Sequence, residues 1–308
     1  FGPSDEDEAI AGSMLWTKTL DSAPNAFIWT YIQKSPTLFV GLDWFFTIIF
    51  MDWVNTFAYE RVPEPLPPLP DLGFDIIPDA SGGKFYPADA VTVSLFIAMA
   101  LLALKEGKPG YAKLRQLLFV YSLLLKLRTV TIIVTTLPIC YSHGPCREQH
   151  TPLKNRMVTA LAYAFALGFG VPGVVQCGDY IFSGHTTFIW LLTMHVIKVF
   201  RPGNWLTFAL YLWATLGSVA IIAFRRHYTI DVVLAVIITL TVWYMVHFKL
   251  EILKLQNKPA DNWTDKLLLW ISSEKSASDT PHLQSMQLLP DNDADDIEVA
   301  RTDSSFHD

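Results

Sequence analysis

The sequence predicts an all-α integral membrane protein, a six-transmembrane-helix bundle with both termini in the cytosol. Three observations carry that prediction. They are an apolar composition, six apolar runs near the length of a bilayer span, and an uneven placement of Lys and Arg among the loops. Of the 308 residues 51% are hydrophobic and only 17% are charged. A soluble domain of this size does not ordinarily carry several apolar runs of ~20 residues, whereas a polytopic membrane protein must. The formal charge of −6 gathers at the ends, in "SDEDE" near the start and "DNDADDIEVARTD" near the finish. These read as solvated, disordered tails, and the acidic balance argues against nucleic acid as a partner. No signal peptide is visible, so an internal apolar helix is expected to direct insertion.

The six runs fall at 38–58, 88–104, 117–138, 183–200, 205–224 and 229–248. The first contains Asp52 and the third Arg128, both in places where lipid would penalise a charge. A seventh run, 157–175, is interrupted by Gly168, Gly170, Pro172 and Gly173. The distribution of positive charge decides whether it crosses. With six spans, the basic stretches "KEGKPGYAKLRQ", "KVFRPGN" and "KLEILKLQNK" all face the cytosol. Were 157–175 a span, every later loop would change sides and two basic loops would face outward. It is therefore expected as an interfacial or re-entrant helix.

This gives a cytosolic segment 1–37, a membrane domain 38–250 with luminal loops at 59–87 and 139–182, and a cytosolic acidic tail 251–308. Within that tail "KLLLWI" is too short to span and is expected to lie along the membrane surface. The sequon Asn262-Trp263-Thr264 would sit in the cytosol and stay unmodified. No internal repeat, Gly-rich phosphate loop or dinucleotide fingerprint is present. Of the three cysteines, Cys140 and Cys146 flank a loop short enough to close as a disulfide in an oxidising lumen, and Cys177 stands apart. None forms a CxxC pair, which argues against zinc.

The topology brings two polar motifs to one face. In "CGDYIFSGHTT", His185 opens the fourth span, and in "RRHYTIDVV", His227 opens the sixth. Asp231 lies one helical turn after His227, where its carboxylate can hold one imidazole nitrogen and leave the other free. Two imidazoles at one depth suit nucleophilic catalysis at phosphorus: one attacks a phosphodiester and the other protonates the departing alkoxide. Ser183 and the first amides of its span are candidates for phosphate oxygens, and Arg225, Arg226 and the intramembrane Arg128 for phosphate charge. Asp52 is the expected partner of Arg128. Asp179 and Tyr180 join the candidate substrate-binding residues, and Trp44, Trp53, Tyr180 and Phe182 could surround a quaternary ammonium. His143 and His150 read as loop histidines, and His195 and His247 lie away from the luminal face. No metal is expected, because no further ligand has compelling spacing beside His185, His227 and Asp231.

At these residues the sequence resembles the sphingomyelin synthase family, within the lipid phosphate phosphatase superfamily. "CGDYIFSGHT" and "HYTIDVV" are similar to its two signature motifs. "YERVPEPLPPLPDLGFD" and "LRTVTIIVTTLP" resemble its proline-rich luminal loop and its third-span motif. The resemblance implies a six-helix enzyme of the Golgi or plasma membrane with a luminal or extracellular site and no cofactor. It implies transfer of a phospho-headgroup from a glycerophospholipid to ceramide, releasing diacylglycerol. Phosphatidylcholine is the expected donor and sphingomyelin the product. It further implies a catalytic triad of His185, His227 and Asp231, with His227 as nucleophile, and Glu148 as a candidate assisting acid. Two departures stand out. Phosphatase relatives carry arginine where this chain has Ile221, and their upstream lysine and Arg-Pro motif is absent. Donors carrying ethanolamine or inositol, a phospholipase C-like hydrolase, and a non-enzymatic lipid transporter or scramblase are the alternatives. The expected partners are membrane lipids, and the sequence leaves a homo-oligomer open.

Overall fold

A computed structural model describes residues 35–62, 68–82, 87–140, 153–165, 178, 180–256 and 262–273. All of these lie in one structural unit, Phe1–Glu274. Among the described residues every regular element is a helix. They are α1 (Pro36–Glu60), α2 (Leu72–Ile76), α3 (Pro87–Glu106), α4 (Lys108–Val134), α5 (Leu153–Phe165), α6 (Gly184–Phe200), α7 (Asn204–Ala223), α8 (Thr229–Gln256) and α9 (Trp263–Ser272). Five of them, α1, α3, α4, α7 and α8, are long and apolar enough to cross a membrane. The fourth expected span, α6, has 17 residues. At 1.5 Å per residue that is about 25 Å, somewhat less than the ~30 Å hydrocarbon thickness.

The six long helices alternate in direction. Arg115 near the start of α4 bonds Thr37 near the start of α1, and Arg61 just past α1 bonds the Ile133 carbonyl near the end of α4. These two helices therefore run parallel. The start of α6 meets Arg128 late in α4, whereas His195 late in α6 meets Lys113 early in α4, so α6 runs opposite to it. Between α3 and α4 the expected loop 105–116 shrinks to one residue. Gly107 takes φ +65°, open to glycine, and Pro109 starts the next helix at once.

Helix α6 is the hub. Ile189, Leu191 and Leu192 are fully buried in a core shared with α3, α4, α7 and α8. In lipid such packing gains little from the hydrophobic effect, so interhelical hydrogen bonds matter more. Trp190 Nε1 donates to Ser218 Oγ at 3.0 Å. His195, also buried, donates from Nε2 to the Lys113 carbonyl at 2.9 Å. Between α1 and α4, Lys126 meets the Asp43 carboxylate at 2.7 and 2.8 Å, Ser122 donates to the same group, and Thr47 joins Ser122 at 3.1 Å. Asp52 and Arg128 are each 4% exposed on those two helices, and both act electrostatically on Tyr121.

Of the interrupted run, the described part is a helix over Leu153–Phe165, which starts four residues before the expected 157, and residues 166–175 lie outside the described ones. Its 13 described residues span about 20 Å. It lies antiparallel along α1. Arg156 pairs with Glu60 and covers the Phe57 ring at 4.4 Å, while Phe165 meets Phe45 at 6.0 Å.

Among the described residues, the expected tail holds the end of α8 and the whole of α9. Helix α8 continues to Gln256 because Leu250 and Leu253 remain buried. Asn262, the sequon residue, caps α9 by accepting from the Asp265 N–H at 2.9 Å. Helix α9 does not merely rest on a surface: Arg115 donates to the Ile271 carbonyl at 3.2 Å and to that of Ser273, and Trp270 meets Phe39 at 5.4 Å. Arg115, 8% exposed, thus clamps α1, α4 and α9. Arg115→Ala is expected to cost about 2 kcal/mol, since it leaves buried acceptors without a charged donor. Arg115→Lys is expected to recover less than half of that, having no planar fork. Thermal unfolding of the purified protein in detergent measures both.

Candidate active site

The first motif builds the start of α6. Ser183, fully buried, is its N-cap: Oγ accepts from the Thr186 N–H at 3.3 Å and from Thr186 Oγ1 at 3.0 Å. Arg128 lies close against the glycine that follows. A Cβ on Gly184 would stand 3.3 Å from the guanidinium carbon and 3.5 Å from Nε and Nη1. A guanidinium beside the first amides of a helix, which lack intrahelical partners, is a favourable setting for an anion. His185 follows, partly exposed, with Nε2 3.3 Å from Asp89 Oδ1. No motif in the sequence marks Asp89. It sits in the first turn of α3, where an acid is ordinary helix-dipole complementation, and only the topology reveals its position.

The second motif lies in the turn between α7 and α8. His227 is 7% exposed, and its Nδ1 donates to the Tyr180 carbonyl at 3.1 Å. That bond selects the tautomer with its lone pair on Nε2. The Tyr180 ring stands edge-on to the imidazole at 5.8 Å. Asp231, expected to accept from the imidazole, has Oδ2 3.7 Å from Nδ1, beyond hydrogen-bond range. Its Oδ2 instead accepts from the Tyr228 N–H at 3.1 Å, the reach of a third-position acid back to the capping residue. The two motifs also join through the main chain, where the Ser183 N–H donates to the Asp231 carbonyl at 3.2 Å.

A third segment, 69–80, is laced over this seam. Asp71 caps α2 through the Phe74 N–H at 3.1 Å. It also accepts from the Thr229 N–H at 2.8 Å and Thr229 Oγ1 at 2.5 Å. Gly73 permits that approach, since a Cβ there would stand 2.1 Å from Thr229 Oγ1. The Tyr228 hydroxyl accepts from the Leu69 N–H and donates to the Pro138 carbonyl, each at 3.1 Å. Burial pushes its phenol up to about 12, so it remains a donor. Cys140 packs beside Tyr228 with a free thiol, pushed up by burial and by the charges of Asp231 and Asp71. Its proposed disulfide partner Cys146 lies outside the described residues, as do Asp179, Cys177, Glu148, His143 and His150.

The remaining candidates divide. The Arg225 guanidinium donates to the Phe74 and Ile77 carbonyls at 2.9 and 3.0 Å and stacks on the Phe74 ring at 4.4 Å, so it anchors the 69–80 segment. Arg226 is exposed. Ile221, where phosphatase relatives carry arginine, is fully buried in the apolar core. Phe182 is fully buried too, and Trp44 and Trp53 pack against helix-interface clusters. Among the described residues no group of three or more His, Cys, Asp or Glu side chains could hold a metal ion.

Comparison with known proteins places this seam within a recognised domain. The PAP2 superfamily C-terminal domain matches residues 176–248. The chain is 30% identical over 211 residues to a rat phosphatidylcholine:ceramide cholinephosphotransferase 2, covering 66% of this chain and 56% of that one. It is 29% identical over 203 residues to a human sphingomyelin synthase-related protein 1, covering 64% and 48%. It is 25% identical over 224 residues to a Caenorhabditis elegans sphingomyelin synthase-related 1, covering 71% and 46%. The chain spans about half the length of these relatives.

Asp71→Ala removes the acceptor shared by Phe74 and Thr229. It is expected to cost about 2 kcal/mol and to speed amide exchange at the start of α8. A fall in the unfolding midpoint together with faster exchange over 229–232 checks it.

Proposed function

We propose that this chain, which belongs to the sphingomyelin synthase family, transfers phosphocholine from phosphatidylcholine to the primary hydroxyl of ceramide. The observation that carries the reading is the tautomer of His227. With Nδ1–H held by the Tyr180 carbonyl, the Nε2 lone pair is available for attack. A second imidazole, His185, opens the neighbouring helix at the same end of the bundle beside Asp89.

In the first half-reaction His227 Nε2 attacks phosphorus. The bond from phosphorus to the glycerol oxygen breaks, and His185 gives its proton to the departing diacylglycerol alkoxide. In the second, the ceramide hydroxyl passes its proton to His185 and attacks the phosphohistidine, releasing His227 and sphingomyelin. Asp231 caps the helix that carries His227 and lies 3.7 Å from its Nδ1. Arg128 and the first amides of α6 hold the phosphate oxygens through both halves, and Asp179 and Arg226 are candidates to flank the headgroup. The reading sets six spans in a Golgi or plasma membrane, with both tails in the cytosol and the site on the luminal or outer face.

Purified protein given ceramide and one phospholipid at a time is expected to form sphingomyelin from phosphatidylcholine. Product only from phosphatidylethanolamine or phosphatidylinositol would reassign the donor. His227→Ala is expected to lower transfer by at least about 10³-fold, and His185→Ala by about 10²–10⁴-fold. Asp89→Asn, acting by positioning His185, is expected to lower it about tenfold, because the pair is partly exposed. Wild-type turnover in His227→Ala would remove the nucleophile assignment. Protease added outside sealed microsomes is expected to digest the C-terminal tail, and protection of that tail would overturn the orientation.

A further inference from the structure

A groove of about 450 Å³ opens beside the seam, between the 69–72 segment and the first two turns of α8. Its walls are almost wholly apolar, with Leu137 and Leu234 among them, and Asp231 lies at its buried end. Its rim is formed by Leu72, Ile230 and Val233, which are 71%, 55% and 45% exposed. On α8 these rim residues continue into Ile237, also 55% exposed, at the spacing of one helix face. That exposed stripe lies on a helix apolar enough to span a membrane, so the groove opens sideways toward hydrocarbon.

The buried end has a chemical demand. Asp231 is fully buried, and its Oδ2 accepts from the Tyr228 N–H. Among the described residues its Oδ1 has no hydrogen-bond donor. A buried carboxylate oxygen is an acceptor only, and it is costly without a donor. An occupant that suits both ends carries a long hydrocarbon chain and, next to it, a hydroxyl or amide N–H. The glycerol backbone of a phosphatidylcholine has ester oxygens and no such donor. An N-acyl sphingoid base has two hydroxyls and an amide N–H beside its chain.

We infer that this groove is the acceptor-lipid site, admitting the hydrocarbon chain of an N-acyl sphingoid base from the bilayer and receiving one of its hydroxyl or amide donors on Asp231. The assignment rests on the function proposed above for the choice of acceptor, and it puts the donor phospholipid elsewhere around the two histidines. The groove then contributes to discrimination between the two lipids by pairing or failing to pair a single buried oxygen.

The test uses a ceramide carrying a photoreactive diazirine in its sphingoid chain, added to the full chain in lipid nanodiscs, with labelled peptides identified by mass spectrometry. It is run on the wild type and on His227→Ala, so labelling does not depend on turnover. The expected result is labelling of Leu137 and of residues 230–234. Unlabelled ceramide should compete at least about tenfold better than phosphatidylcholine or a ceramide methylated at its hydroxyls and amide. Val233→Trp and Leu234→Trp, narrowing the rim and the wall, are each expected to raise the KM for long-chain ceramide about tenfold while leaving the KM for phosphatidylcholine within about twofold. Equal labelling by a diazirine phosphatidylcholine, or ceramide labelling confined to other helices while transfer proceeds, overturns the groove assignment and leaves the proposed reaction standing. Ceramide labelling of the groove in a protein that transfers no headgroup supports the groove and overturns the reaction instead.

Discussion

Two hydrogen bonds join the loop before α6 to the turn and helix that follow α7, and the rest of the site is arranged around them. His227 Nδ1 donates to the Tyr180 carbonyl, and the Ser183 N–H donates to the Asp231 carbonyl. Each ties a residue of the first motif to a residue of the second, although nearly 50 residues separate them in sequence. With both formed, two helix starts lie side by side, one presenting His185 and the other His227. The 69–80 segment then closes over the pair through Asp71, Tyr228 and Arg225. Loss of the seam would remove the two bonds that tie the start of α6 to the start of α8.

The polar residues inside the apolar helices follow one logic. A membrane interior offers no water, so each buried polar group must find a partner within the protein. Asp43, Lys126, Ser122 and Thr47 answer one another between α1 and α4. His195 finds a main-chain carbonyl across the α4–α6 contact, and Arg115 finds two past the end of α9 and within it. The same bonds that remove the penalty also fix which helices are neighbours, a selection that apolar surface alone cannot make in lipid. Arg128 lies against a helix start, next to the residue that precedes His185. There the local chemistry suits an anion.

Legibility from sequence followed the range of the interaction involved. The apolar runs that became α1, α3, α4, α7 and α8 were plain, because span length is a local property. Ser183, read as a candidate for phosphate oxygens, turns its Oγ to a residue three positions away and caps α6. The ends of elements were less plain. Gly107 and Pro109 compress a loop to one residue, and Leu250 and Leu253 carry α8 past its last apolar stretch. The acidic partner of His185 was not legible at all. Asp89 looks like any first-turn acid until α3 is set against α6, about 96 residues later in the chain. Arg225 misled for the opposite reason. Its place beside His227 suggests phosphate, while its guanidinium is engaged by the carbonyls of a distant loop. Asp231 was found at the right position but facing a different N–H, because a third-position acid satisfies its own helix first.

The group that orients His227 belongs to the main chain of Tyr180, and this bears on how the protein can vary. A side-chain partner can be deleted by one codon change, but a peptide carbonyl is supplied by whatever residue occupies the position. Substitution at 180 would alter the aromatic neighbour and leave the acceptor in place. An alanine scan would therefore pass over the atom that selects the His227 tautomer. Heritable loss of that atom's position would come instead from insertions or deletions between residues 177 and 183, which shift the register of the chain against His227.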